Sequence, residues 1–321
     1  EYSDNNNELR QLMSSRVLAS RSKDDATLIP LHERNMAFVM KYWYQERDDI
    51  GFLVYDDKSK LGANAMLLRA FVYSPLFQQY ANEAKATADG LLSLQNEDGS
   101  FRPWLDEPDY EYDSDYLLTF YSGEALLAIT EYYEKTSDEK YLAAAKVSAD
   151  FYIKRYVDEL EENYYPAYVP WHTLAYRNLY FITKDRKYAD AIFVLNDKLL
   201  EMQDTTTVVG QFFNPKTPEY GTPHASSDGV YVDGLSYAYE VALAVGDTEH
   251  AEKYLRAIQI GIQHIASLQY RTALPGSPLP FRTYEGAIRV NKQDNPWVRM
   301  DNVQHTLDAI EHMQMVLADG E

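Results

Sequence analysis

The stretch Tyr121-Ser122-Gly123-Glu124-Ala125-Leu126-Leu127-Ala128-Ile129, followed by Thr136-Ser137-Asp138-Glu139-Lys140-Tyr141 and then Leu142, Ala145, Ala149 and Tyr152, decides the fold. Its first half is apolar nearly all round, as expected of a helix buried on every side. Asp138 stands where a carboxylate can accept from the free N–H groups of a new helix. Beyond it, Tyr141 through Tyr152 keep one apolar stripe at helical spacing with a charged back. The two halves read as a helical hairpin with one inner and one outer member.

The same corner recurs outward along the chain. Thr183-Lys184-Asp185-Arg186-Lys187-Tyr188 and Val245-Gly246-Asp247-Thr248-Glu249-His250 each place an Asp at a helix start, and Ser74-Pro75 does so with a serine cap and a proline. Small residues mark the openings of five inner helices: Lys60-Leu61-Gly62-Ala63-Asn64-Ala65, Tyr121-Ser122-Gly123-Glu124-Ala125, Pro170-Trp171-His172-Thr173, Val232-Asp233-Gly234-Leu235-Ser236 and Val298-Arg299-Met300-Asp301. One hairpin cannot bury its own stripe, so recurrence at a few tens of residues implies stacked neighbours. With 31–46 and 75–95 as further outer helices, the count is about eleven. The fold class expected is all-α, with about five to six hairpins in an inner and an outer ring. Residues 1–25 read as an N-terminal arm or partial helix, capped by Asn5-Asn6-Asn7 and running through Leu18, and 26–321 as one domain.

Tyr121-Ser122-Gly123-Glu124 before a Leu-rich helix, and Leu94-Gln95-Asn96-Glu97-Asp98-Gly99-Ser100-Phe101 at an outer-to-inner loop, resemble the α/α toroid, or six-hairpin barrel, over most of 31–318. That superfamily includes many glycan-active enzymes and uronyl C5-epimerase C-terminal domains. The resemblance implies an active site at the end of the ring where inner helices begin. The loops that reach this end are expected at 47–60, 96–115, 158–170, 204–230 and 270–298.

Composition narrows the partners. Thirty Lys and Arg against 50 Asp and Glu give a formal charge of -20, which repels phosphate backbones, so no nucleic acid partner is expected. No apolar run is long enough to span a bilayer. The start, Glu1-Tyr2-Ser3-Asp4, shows neither an initiator Met nor a signal-peptide core, so a removed leader or tag, or a fragment, is expected. Cysteine is absent, which excludes disulfides, thiolate metal sites and a cysteine nucleophile. An extracellular or periplasmic location is the expectation. Gly-x-Ser-x-Gly and Gly-rich phosphate loops are absent, so serine-hydrolase and nucleotide chemistry are disfavoured. The 28 Tyr are unusual; they suit either a cavity that stacks on sugars or the cores of long helices.

Loop 96–115 interleaves Asp106, Glu107, Asp109, Glu111, Asp113 and Asp115 with Tyr110 and Tyr112. Asp113 and Asp115, with Glu124, are the acids proposed for general acid–base work, and the same run also reads as a solvated acidic face. Tyr121, His172 and His224 are the proton carriers expected beside them. Loop 270–299 is basic, with Arg271, Arg282, Arg289, Lys292 and Arg299. Arg282 and Arg299 are assigned to hold an oxyanion, with Asp233 and Asp301 as further substrate ligands and Trp104, Tyr168 and Trp171 as stacking surfaces. His172, His224 and His305 lie nearest the expected opening, yet nothing has zinc-motif spacing, so no metal and no cofactor are expected. In the last helix Asp301, His305, Asp308 and His312 share a polar stripe whose plain reading is a face toward water, with its first turn, Arg299 and Asp301, approaching the opening. The function expected is action on an oligo- or polysaccharide, uronic acids included, by hydrolysis, lyase cleavage or C5 epimerisation. The alternative is a non-catalytic glycan- or peptide-binding scaffold.

Overall fold

The computed structural model describes residues 7–273, 280–292 and 297–318. Asn5, Asn6 and Asp294 lie outside the described residues. The chain divides into two compact units, Glu1–Tyr164 with Asn178–Asp185, and Tyr165–Arg177 with Arg186–Glu321.

In the first unit α1 (Glu8–Arg21) is capped by Asn7, whose side chain accepts from Arg10 N at 3.0 Å. It is followed by α2 (Ile29–Tyr42), α3 (Leu61–Tyr73), α4 (Ala81–Ser93), α5 (Ser114–Thr136) and α6 (Glu139–Ile153). α6 runs through one π turn, Lys154–Asp158, into the short α7 (Leu160–Asn163). α1 packs on α3 and α3 on α5, while α2, α4 and α6 lie outside them. α3 is buried from Leu61 through Val72 without a gap, as a helix with no polar face must be. Two small antiparallel ladders lie between helices, β1 (Tyr44–Arg47) with β2 (Ile50–Leu53) and β3 (Ser59–Lys60) with β4 (Trp104–Asp106). The expected loops 47–60 and 96–115 are therefore partly strand.

The second unit is built from the start of α8 (Tyr168–Thr183), α9 (Arg186–Leu200), α10 (Ala225–Val245), α11 (Thr248–Ser267) and α12 (Met300–Ala318). α10 packs on α9, α11 and α12. Eleven long helices lie among the described residues, and α1 takes an inner place against α3.

The corners at Asp138 and Asp247 form as expected. Asp138 accepts from Lys140 N and Asp247 from His250 N, both at 3.1 Å. Ser74 accepts from Leu76 N at 3.0 Å, but the turn leads first into a 3₁₀ segment and α4 begins only at Ala81. Two helix starts differ more. α5 begins at Ser114 and α10 at Ala225, so Tyr121, Glu124 and Asp233 sit two to three turns inside their helices instead of at the openings. The polar first turns, capped by Asp113 and His224, read as loop because their charged and small residues lack an apolar period.

Outer helices are tied together by a repeated clamp. Gln95 Nε2 donates to Ala144 O at 2.8 Å, and Gln203 Nε2 to Ala257 O at 2.9 Å. A few residues on, Gly99 (φ 93°) and Gly210 (φ 92°) bring the loop backbone onto the carbonyls of Val147 and Ile260. A side chain there meets both a left-handed backbone and a main-chain oxygen. Gly99→Ala and Gly210→Ala are each expected to destabilise by about 2 kcal/mol or more, seen as a lower Tm in thermal unfolding.

Candidate functional site

Gly229 and Asp233 lie one turn apart on α10 and face α12. A methyl added at Gly229 would stand 3.1 Å from His305 Cβ and 3.2 Å from Thr306 Oγ1, so the two helices nearly touch. His305 and Asp308 project from one face of α12 at i, i+3. One ligand atom from each of Asp233, His305 and Asp308 lies within 4.8 Å of the others. Asp233 and His305 are buried and Asp308 half-buried. Trp171, in the first turn of α8, sets its ring edge-on to His305 with centroids 5.7 Å apart. Pro170 beside it packs against Gly234, where any side chain would strike the proline ring.

Polar contacts continue in both directions. At the start of α12, Arg299 forks onto Asp301, with Nε 3.0 Å from Oδ1, and its Nη1 stands 2.8 Å from His224 Nε2. Ser226 N donates to His224 Nδ1 at 3.0 Å. A neutral imidazole has one lone pair for donors, so His224 can fully satisfy only one of these partners. Two turns further along, the His312 ring stacks on Tyr237 at 3.6 Å, and its Nε2 is 3.3 Å from Glu240. Arg177 grips Glu240 with Nε and Nη2 at 2.7 and 2.6 Å. Burial alone would raise the Glu240 carboxyl, but hydrogen bonds from His312 and Arg177 and the guanidinium charge bring it down to about 2.

The polar stripe of α12 therefore faces inward. Asp301, His305 and His312 are buried, whereas Leu317 on the opposite side is exposed. The expectation that this stripe faces water is overturned, because α10 offers Asp233, Tyr237 and Glu240 as partners. His305, expected near the opening but with no assigned role, and Asp308 are thus part of this cluster, and their spacing with Asp301 and His312 is the sequence signal for them.

The first unit holds a different acid. Glu124 is 2% exposed, and its Oε2 has no hydrogen-bond partner. It lies against the first turn of α3, where a methyl at Gly62 would collide with Glu124 Oε2 and the Tyr121 ring. Burial pushes its carboxyl up to about 8, opposed only in part by Arg69. Since Glu124 stands three turns into α5, the helix-start dipole does not account for it. The Tyr121 phenol is held well above its usual range by burial, then by Glu124 and Glu8 and by Tyr110 and Tyr116.

Other expected residues have local work. Asp113 caps α5 by accepting from Tyr116 N at 3.0 Å, and Asp115, 81% exposed, pairs with Arg155 at 3.4 Å. Trp104 is buried in β4, edge-on to Tyr112. Tyr168 and His172 are interior. His172 Nδ1 donates to Tyr168 O at 2.9 Å, and burial pushes the ring down to about 4, so it stays neutral. Arg282 is exposed on the 3₁₀ turn Phe281–Thr283. The structure thus gathers Trp171 with Asp233, His224 with Arg299 and Asp301, and Tyr121 with Glu124. The donor set of Asp233, His305 and Asp308 is also one that suits a divalent cation, although no sequence motif spaces these residues as metal ligands.

No known family's sequence model matches the chain, and no characterised protein matches it by sequence. Solved structures do. A D-mannose isomerase is 13% identical with a TM-score of 0.71, over 95% of this chain and 87% of that one. An unsaturated glucuronyl hydrolase specific for heparin gives 12% and 0.68, over 97% and 86%. A cellobiose 2-epimerase from Bacillus thermoamylovorans gives 15% and 0.67, over 95% and 86%. The chain has the α/α toroid fold. At these identities the likeness carries the architecture only.

The raised Glu124 carboxyl makes stability depend on pH with a definite sign. Its folded-state value, about 8, lies above the ordinary 4.5, so the native state holds a proton that the unfolded state releases. Stability is greatest below 4.5 and is lost as pH rises toward 8, by roughly 1.4 kcal/mol per unit at the steepest. Urea unfolding from pH 5 to 9 should show this decline, and Glu124→Gln should abolish it.

Proposed function

We propose that this chain is an enzyme acting on an oligo- or polysaccharide, with His305 as the proton carrier and Asp233 and Asp308 setting its charge and orientation. The observation that supports this reading most is the convergence of one imidazole and two carboxylates from α10 and α12 beside the Trp171 ring. An imidazole can take and return a proton near neutral pH, and an adjacent carboxylate stabilises the imidazolium formed. That arrangement suits proton abstraction from a sugar carbon, as in lyase cleavage or epimerisation, better than hydrolysis by a lone pair of carboxylates. The toroid neighbours, an isomerase, an epimerase and a glycoside hydrolase among them, are consistent with such chemistry. Arg299, forked to Asp301 beside His224, supplies a cation at the start of α12 for a substrate oxyanion. An extracellular or periplasmic location belongs to the same proposal.

The second reading is a non-catalytic glycan-binding scaffold. It is favoured by the burial of Trp104, Tyr168 and Trp171, the very rings expected to present stacking surfaces. A panel of mannose- and glucose-based oligosaccharides and unsaturated glucuronyl disaccharides, followed by product analysis, separates the two. His305→Gln and Asp233→Asn are each expected to lower kcat about 100-fold or more while the circular dichroism spectrum is retained. Turnover that survives both substitutions, or no turnover on any member of the panel, overturns the enzymatic reading. Turnover that stops with EDTA and returns with a divalent cation would instead assign the three side chains to a metal.

A further inference from the structure

The first unit holds an open cavity of about 370 Å³ where the C-terminal ends of α1, α3 and α5 meet the turn that leads toward α4. Its apolar walls are Ile29, Val72, Pro75 and Phe77. That volume lies in the range of small-molecule sites, which are mostly apolar with a few placed polar groups.

The polar groups around the cavity fall into two sets. Those of the inner wall are already engaged by the protein. Ser22 Oγ donates to Ala19 O at 2.6 Å, and the Tyr73 hydroxyl to Glu131 at 3.1 Å. Ser74 Oγ lies 2.8 Å from His32 Nε2, whose Nδ1 stands 2.9 Å from Ser15 Oγ, so a buried chain of three side chains fixes the turn and preforms the wall. The other set is Lys23, Gln78 and Lys135, all exposed at the rim. Among the described residues no carboxylate pairs with either ammonium, in a chain where acids outnumber bases 50 to 30. Lys135 Nζ stands instead 4.8 Å from the centre of the Phe77 ring.

Two ammonium groups over an apolar wall match an anion carried on an apolar body. The lysines offer charge-assisted hydrogen bonds to its oxygens, and the wall covers its hydrocarbon. Lysines near helix C-termini also complement the carbonyl ends. That role needs no cavity and implies no ligand.

We propose that this cavity binds a small organic anion, a carboxylate or phosphate monoester with an apolar body, with Lys23 and Lys135 on its charged oxygens and Val72, Pro75 and Phe77 against its hydrocarbon. Every residue of the cavity belongs to the first unit, whereas Asp233, His305 and Asp308 belong to the second, so the site stands apart from the carbohydrate reading.

Isothermal titration of the full chain tests it with benzoate, phenyl phosphate, inorganic phosphate and neutral benzyl alcohol. Benzoate or phenyl phosphate should bind with a Kd of about 1 mM or tighter, and the better of the two identifies the charged group. Benzyl alcohol lacks the charge and inorganic phosphate the apolar body, so each should bind at least about tenfold more weakly. Lys23→Gln and Lys135→Gln should each raise the Kd of the better anion about fivefold, while Arg299→Gln, which removes a cation of the second unit, leaves it unchanged. Cooperative thermal unfolding confirms that each variant is folded. The proposal falls if neither organic anion binds, if benzyl alcohol or inorganic phosphate binds as well, or if the lysine substitutions leave the Kd unchanged; the lysines then serve only the helix ends.

Discussion

A guanidinium fork between successive inner helices, buried in the first unit and half-buried in the second, fixes what the rest of each unit can do. In the first unit Arg69 of α3 grips Glu131 of α5 through Nε and Nη2 at 2.7 and 2.8 Å, with the Tyr73 hydroxyl adding a third bond at 3.1 Å. In the second, Arg177 of α8 grips Glu240 of α10 in the same two-toothed manner. Such pairs repay little of their desolvation as net stability, but breaking one strands a charge in the interior. Their strength lies in geometry, because a planar fork accepts a carboxylate in one orientation. Once Glu240 is held, the rotation of α10 is set. Tyr237 and Asp233, one and two turns earlier, must then face α12, where they meet His312 and His305.

The helical corners were legible in the sequence because a cap is a local device. Asp138 and Asp247 need only their own first turn, and both accept the bonds their positions imply. The starts of α5 and α10 were not legible for a related reason. Their first turns are written in Asp, Ser and aromatic residues that also make good loops, and only packing against neighbours keeps them helical. Displacing those starts moved Glu124 and Asp233 from the helix openings into the interior. The clamp that joins outer helices was present in the text as Leu94-Gln95 with Gly99, Met202-Gln203 with Gly210 and again as Leu268-Gln269, a pattern more regular than the small-residue openings.

The inward stripe of α12 marks the limit of amphipathic reasoning. A polar face implies water only when the neighbour is apolar, and the neighbour's identity is tertiary information. The tyrosine excess resolves by the same logic. Tyr141, Tyr152, Tyr168, Tyr176, Tyr188 and Tyr254 are among the largest fully buried side chains, so much of the excess is core. Some of their hydroxyls reach polar partners where the helix layers meet: Tyr141 donates to Asp89 at 2.8 Å, and Tyr254 to Asp197 at 3.0 Å. Tyrosine fills the volume of a long-helix core and still ends in a bond to an adjoining helix. Tyr110 and Tyr116 are instead about half exposed, which is what sets them apart.

Three glutamates on inner helices show how one side-chain type is given different states. Glu131 and Glu240 each face an arginine fork, and the Glu240 carboxyl is drawn down to about 2 although burial opposes it. Glu124 lies two turns before Glu131 on α5, yet Arg69 is already engaged by Glu131 and reaches Glu124 only through its field. Burial then dominates, and the group keeps its proton near neutral pH. A carboxylic acid in that state can donate a hydrogen bond, which a carboxylate cannot. The fork that rigidifies the α3–α5 pair thereby also decides the chemistry of Glu124, since a second free guanidinium at that depth would turn it into an acceptor.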